Sequence, residues 1–129
     1  MKLQAVLDAS ALLAYLQRER GYELVRKALK YGTAISAVNL AEVQAKLKSK
    51  GKDAEEITRR LKALGLHVFS FSEEDALLTA DFYLPTRSKG LSLGDRACLA
   101  LAKRLGLTAL TTDSSWSTLK LGVKVDLVR

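Results

Sequence analysis

The sequence has few of the residues that build disulfide scaffolds, zinc sites or flexible linkers. Its 129 residues include one cysteine, one histidine, one proline and one tryptophan. A lone cysteine forms no internal disulfide, and Cys98 with His67 falls short of a zinc ligand set. One proline and no low-complexity tract leave little room for a disordered linker. No apolar run approaches a membrane span in length. Met1-Lys2-Leu3 runs straight into a short apolar segment, without the long apolar core and small-residue cleavage site of a secretory signal. The expectation is a cytoplasmic chain with no membrane partner, folding as a single domain over residues 1–129.

With 48% hydrophobic and 27% charged residues, the composition is that of a globular protein. The formal charge of +7 is unevenly placed. Arg18 to Lys62 holds twelve Lys/Arg against six Asp/Glu, whereas Ala63 to Arg129 holds eight against seven. A basic half suits a polyanionic partner, most simply nucleic acid. It equally describes a solvated, lysine-rich pair of helices. The candidate contacts are Lys46, Lys48, Lys50 and Lys52 near a helix end, with Arg87 and Lys89 in a polar loop.

The most informative stretch is Ala5 to Leu16, AVLDASALLAYL. An apolar run ends at Asp8, and Leu12, Leu13 and Leu16 then recur at helical spacing, so a buried strand passes directly into a helix. In open parallel sheets the carboxyl ends of strands bind ligands, which places Asp8 on the functional side. Further on, helices are expected over Tyr22 to Lys30, Ala37 to about Ser49, and from a capping box at Asp53 and Glu56 to Leu64. Val38, Ala41, Ala45 and neighbouring Leu residues should face inward on the second of these, and Ile57, Leu61 and Leu64 on the third. A fifth helix, capped by Ser72 to Asp75, should bury Ala76, Leu77, Ala80 and Tyr83 and end before Pro85. A mobile loop, Thr86 to Leu91, then leads to a Ser92-capped helix ending at Leu105. Strands are expected at Thr33 to Ser36, Leu66 to Phe71, Thr108 to Thr111 and Lys124 to Val128. Alternating strands and helices predict an α/β fold with a mainly parallel central sheet covered on both faces.

Four acids fall at strand ends or early in helices: Asp8, Glu42, Asp95 and Asp113. Each has an ordinary structural use. Asp8 can cap a helix, Glu42 can pair with Lys46, Asp95 can close a capping box with Ser92, and Asp113 can cap Ser114-Ser115-Trp116. Gly94 is harder to account for, because glycine in a first helical turn costs stability unless something approaches the backbone closely. Carboxylates brought together repel unless cations sit among them, and oxygen-only ligands favour Mg²⁺ or Mn²⁺. One or two such ions beside basic surfaces suit hydrolysis of a phosphodiester.

AVLDASALLAYL, the ISAVNLAEV stretch ending at Glu42 and Val43, LSLGDRACLALAKRLG and LTTD together resemble the PIN-domain ribonucleases, most nearly the VapC-type toxins of toxin–antitoxin pairs. The resemblance covers essentially the whole chain. It implies a three-layer α/β/α sandwich and metal-dependent cleavage of RNA. By motif position, Asp8, Glu42, Asp95 and Asp113 correspond to the family's acidic quartet, serving as catalytic residues and as ligands to Mg²⁺ or Mn²⁺. Ser10 and Thr111 match the small hydroxyl residues beside the acids. The family also implies a homodimer and, in its toxin branch, an antitoxin partner.

Other readings compete. A haloacid-dehalogenase-type phosphatase needs a second acid two residues after the first, where Ser10 stands. A receiver domain needs a lysine after a late strand, and LTTDSSW has none. A non-catalytic RNA- or protein-binding module would use the basic half and leave the acids as caps. A PIN nuclease of RNA processing, outside any toxin pair, would carry the same quartet. His67 reads as structural, since a divalent cation would do the work of a general base, and Trp116 and Cys98 read as packing residues.

Overall fold

A computed structural model describes residues 2–129. Met1, at the head of the expected lead into the first strand, lies outside them. The elements follow the order β1 (Ala5–Leu7), α1 (Ala9–Leu16), α2 (Tyr22–Tyr31), β2 (Thr33–Ser36), α3 (Ala37–Ser49), α4 (Ala54–Leu64) and β3 (Leu66–Phe69). They continue with α5 (Glu73–Asp81), α6 (Tyr83–Thr86), a 3₁₀ turn (Arg87–Lys89), α7 (Leu93–Leu105), β4 (Thr108–Thr111), a second 3₁₀ turn (Ser114–Thr118) and β5 (Val125–Leu127).

All pairings in the five-stranded sheet are parallel, in the order β3-β2-β1-β4-β5. β1 is therefore central: Val6 lies opposite Ala34 of β2 on one side and Ala109 of β4 on the other. Buried on both faces, β1 must be apolar throughout, as its Ala-Val-Leu sequence is. Alternation of side chains then sorts the core into two layers. Ala5, Leu7, Ile35 and Leu110 pack with Leu12, Leu29, Val43 and Leu61 from α1 to α4. Val6, Ala34 and Ala109 pack on the opposite layer with Phe82, Leu99 and Trp116. The result is a three-layer α/β/α sandwich.

Several local expectations are corrected. On α3 the buried residues are Asn39, Val43 and Leu47, while Ala41 and Ala45 are exposed and Val38 is half-buried. On α4 Leu64 is 49% exposed, and Thr58 lies inward instead. The face of α5 is reversed, with Asp75 and Thr79 buried and Ala76, Leu77 and Ala80 in solvent. Tyr83, half exposed, follows on the same side. Asp75 can be buried because Arg104 of α7 donates to both carboxylate oxygens, at 2.6 and 3.1 Å. Pro85 does not end the helical segment. It sits in the first turn of α6, where a missing N–H costs nothing, and the buried Thr86 hydroxyl donates to Phe82 O at 2.6 Å. The expected loop is thus largely helical and 3₁₀. β3 ends at Phe69 rather than Phe71.

Every connection between adjacent parallel strands carries the chain from the carboxyl edge of the sheet back to its amino edge. The starts of α1, α3 and α7 consequently gather at the carboxyl edge. These segments hold Asp8, Glu42 and Asp95, and Asp113 follows the carboxyl end of β4.

Candidate metal centre

Asp8 is where the strand becomes a helix. Its N–H still belongs to the sheet, donating to Leu110 O at 3.1 Å, while its side chain caps α1 through the Ala11 N–H at 2.8 Å. Two hydroxyls complete its shell: Ser10 Oγ donates to Oδ1 at 2.7 Å and Thr111 Oγ1 donates to Oδ2 at 2.6 Å. Each hydroxyl also accepts from the segment after β4, Ser10 from the Thr112 N–H and Thr111 from the Asp113 N–H. A pair of relays therefore ties the β1–α1 junction to the β4 end. Burial raises the Asp8 carboxyl above its ordinary value; the bonds from Thr111, Ala11 and Ser10 oppose this, and the charge of Asp95 adds to it.

Asp95 closes a capping box at the start of α7, accepting from the Ser92 N–H at 2.9 Å. That bond uses Oδ2 alone. Asp113 caps the second 3₁₀ turn through Oδ1, which accepts from the Ser115 N–H, and is exposed. Glu42 does not form an ion pair with Lys46, its ordinary structural alternative, among the described residues. Instead its Oε1 accepts from Asn39 Nδ2 at 3.0 Å. A Cβ on Gly94 would lie 2.6 Å from each Glu42 carboxylate oxygen, which accounts for glycine in the first turn of α7.

The buried Cys98 marks where these charges converge. Its thiol is pushed well above the usual range, first by burial and then by the charges of Asp8, Asp95 and Glu42. Asp113 is not among these influences. Among the described residues no three acids stand close enough to form a closed metal cage. An open set of oxygen donors still fits Mg²⁺ or Mn²⁺, because Mg²⁺ keeps several waters and takes only one or two carboxylates. The space left by Gly94 for a carboxylate, and the repulsion between Asp8 and Asp95, are the features that fit a cation.

The remaining candidates are scattered. α3 leaves the carboxyl edge at Ser36, so Lys46 and Lys48 lie one to two turns past Glu42. Lys50 and Lys52 lie at the opposite end, beside Leu16, Gln17 and Ile57. Arg87 and Lys89 are exposed, shortly before Ser92 and Asp95. His67 is exposed on the edge strand β3, and Trp116 is fully buried. Asn39, which holds Glu42, was not singled out by sequence. Its trace there is a polar residue three positions before the acid on an otherwise apolar stretch.

The PIN domain family model matches residues 5–120. The chain belongs to the PIN-domain family. Solved structures agree with this fold. A toxin–antitoxin complex from Klebsiella pneumoniae superposes on the PIN chain with a TM-score of 0.76 at 20% identity, covering 98% of each chain. VapBC2 from Rickettsia felis, bound to a DNA fragment from its promoter, gives 0.70 at 20% identity over 95% of this chain and 97% of that one. VapC20 of Mycobacterium tuberculosis, a sarcin–ricin-loop-cleaving toxin, gives 0.70 at 12% identity over 88% and 93%. No functionally curated protein matches the sequence.

Proposed function

We propose that this PIN protein is a metal-dependent endoribonuclease that hydrolyses RNA phosphodiester bonds, and that it acts as the toxin of a toxin–antitoxin pair. The observation that carries the reading is Asp8. It is a buried carboxylate, held by a hydroxyl on each oxygen, with a second acid close enough to raise its pKa. Asp8, Glu42, Asp95 and Asp113 would hold the metal and form the catalytic set. When bound, one or two Mg²⁺ or Mn²⁺ ions supply the Lewis-acid charge that polarises a phosphate and acidifies water. Ser10 and Thr111 fix the orientation of Asp8. Asp95 keeps one oxygen outside its capping bond. Arg87 and Lys89 offer positive charge to flanking phosphates, with Lys46, Lys48, Lys50 and Lys52 as more distant contacts.

The toxin role is supported by structural neighbours that are themselves toxin–antitoxin complexes, and RNA as substrate by the neighbour that cleaves the sarcin–ricin loop. A cavity of about 970 Å³ is away from the acids, lined by residues of α1, α2 and α4. Its apolar lining of Tyr15, Leu24 and Leu64 beside Arg26, Lys27 and Lys30 suits an amphipathic acidic segment of an antitoxin. The reading includes a homodimer, for which the exposed Leu77, Tyr83 and Leu84 offer an apolar face. No helix among the described residues is long and apolar enough to cross a membrane, and a cytoplasmic site of action follows from the proposed RNA substrate.

One observation favours a non-catalytic module: Asp8, Asp95 and Asp113 each accept a backbone N–H as caps. Incubating single-stranded and structured RNA with Mg²⁺ or Mn²⁺ separates the two. Metal-dependent products that vanish in EDTA and in Asp95→Asn support the nuclease. Absence of both cleavage and calorimetric metal binding would leave the caps as the whole explanation.

A further inference from the structure

Asn39 and Gly94 both adjoin the Glu42 carboxylate, and the proposed reaction uses neither. Asn39 is 1% exposed, in the first turn of α3, and its Nδ2 donates twice: to Glu42 Oε1 at 3.0 Å and to Gly94 O at 2.9 Å. With two acceptors facing it, the amide nitrogen can point only this way. Its Oδ1 is buried with no hydrogen-bond partner. A buried amide with one end unsatisfied is costly for a residue whose only task is packing, since an apolar side chain would carry no such penalty. Glu42, by contrast, is exposed, and a free glutamate side chain would sample many rotamers.

We infer that Asn39 and Gly94 form a seat that holds the Glu42 carboxylate in place for the metal, which makes both of them positioning residues. Asn39 supplies the bond that selects one orientation of Glu42 and clamps α3 to the first turn of α7. Gly94 supplies the space, because any Cβ there would meet both carboxylate oxygens. The inference rests on the proposed metal-dependent reading and adds two residues to it that touch neither metal nor substrate. Supporting groups of this kind commonly change metal affinity by about 10–100-fold when removed.

Mn²⁺ affinity of the full chain, followed by calorimetry and by the EPR signal of free ion, tests the seat. Asn39→Leu keeps the branching at Cγ and removes both bonds. Gly94→Ala is a better helix former, so its thermal stability should hold or rise while Glu42 is displaced. Both variants should bind Mn²⁺ at least tenfold more weakly than the wild type while melting cooperatively. In a Glu42→Gln background Asn39→Leu should add no further loss, because Asn39 acts through Glu42. Unchanged affinity in Gly94→Ala, or full additivity with Glu42→Gln, beside a wild type that binds, overturns the seat and leaves the metal reading intact. A wild type that binds no Mn²⁺ overturns both. If Asn39→Leu fails to fold, Gly94→Ala alone decides.

Discussion

Thr111 and Asp8 are 103 positions apart in sequence, yet the Thr111 hydroxyl donates to Asp8 Oδ2 at 2.6 Å and accepts the Asp113 N–H at 3.0 Å. One buried hydroxyl thus serves an acid on β1 and the turn that presents another acid after β4. Removing it should be felt on both sides.

Thr111→Val keeps the shape and β propensity of the strand and leaves two polar groups unpaired. Urea denaturation should show a loss of about 1–3 kcal/mol. Thr111→Ser, which keeps the hydroxyl, should recover most of it. A valine variant as stable as the wild type would show that the relay contributes nothing to folding.

Asp8→Asn should separate capping from charge. Asparagine caps as well as aspartate. The raised Asp8 carboxyl means that the folded chain holds this proton more tightly than the unfolded one. The charge therefore costs stability that grows as pH rises from 3.8 through the raised folded value. In EDTA the melting temperature of the variant relative to the wild type should therefore rise with pH. It should bind no Mn²⁺. A melting-temperature difference that does not change with pH would contradict this account.

Asp75 has the opposite sign. Burial raises its carboxyl, but the Arg104 guanidinium and the Ser72 amide and hydroxyl outweigh this and hold it below the ordinary 3.8. Its stabilisation is present above 3.8 and is lost as pH falls through the lower folded value. Asp75→Asn should cost about 1–3 kcal/mol at pH 7 and much less in strong acid, measured by denaturation across pH. A cost that does not change with pH would assign the effect to packing.

RNA binding should discriminate between the basic groups. Each phosphate contact removed lowers the salt slope of log affinity by about 0.7 for a single strand. Arg87→Gln with Lys89→Gln should flatten the slope more than Lys50→Gln with Lys52→Gln, which lie at the far end of α3. Filter binding over a salt series measures both. Equal slopes would move the RNA path onto α3.

Strand and helix order was legible because β1, β2 and β4 are short apolar runs ended by polar residues, and because Ser36, Ser72 and Ser92 are strong helix caps. All three cap as expected. What the pattern misjudged was helix rotation. On α5 the apolar choice was Ala76, Leu77 and Ala80, yet Asp75 and Thr79 are inside, because Arg104 lies opposite Asp75 and only tertiary structure reveals it. On α3, Ala41 and Ala45 carry too little apolar surface to decide which face turns inward, and Val43 and Leu47 decide it instead. The acids were found through their positions after strands and near caps. Asn39 escaped because a buried amide has no periodic signature. Gly94 did betray a close approach, and the group that approaches is Glu42.

Placing β4 directly beside β1 sets a clock for synthesis. Asp8 leaves the ribosome 103 residues before the hydroxyl that completes its shell. At 5–20 residues per second the delay is on the order of 5–20 s. During that interval no nascent chain has the assembled acidic edge, whatever helices have already formed. If the chain is the nuclease proposed here, a copy that lacks β4 is harmless to the RNA around it, and the hazard begins only once that strand has emerged and paired with β1.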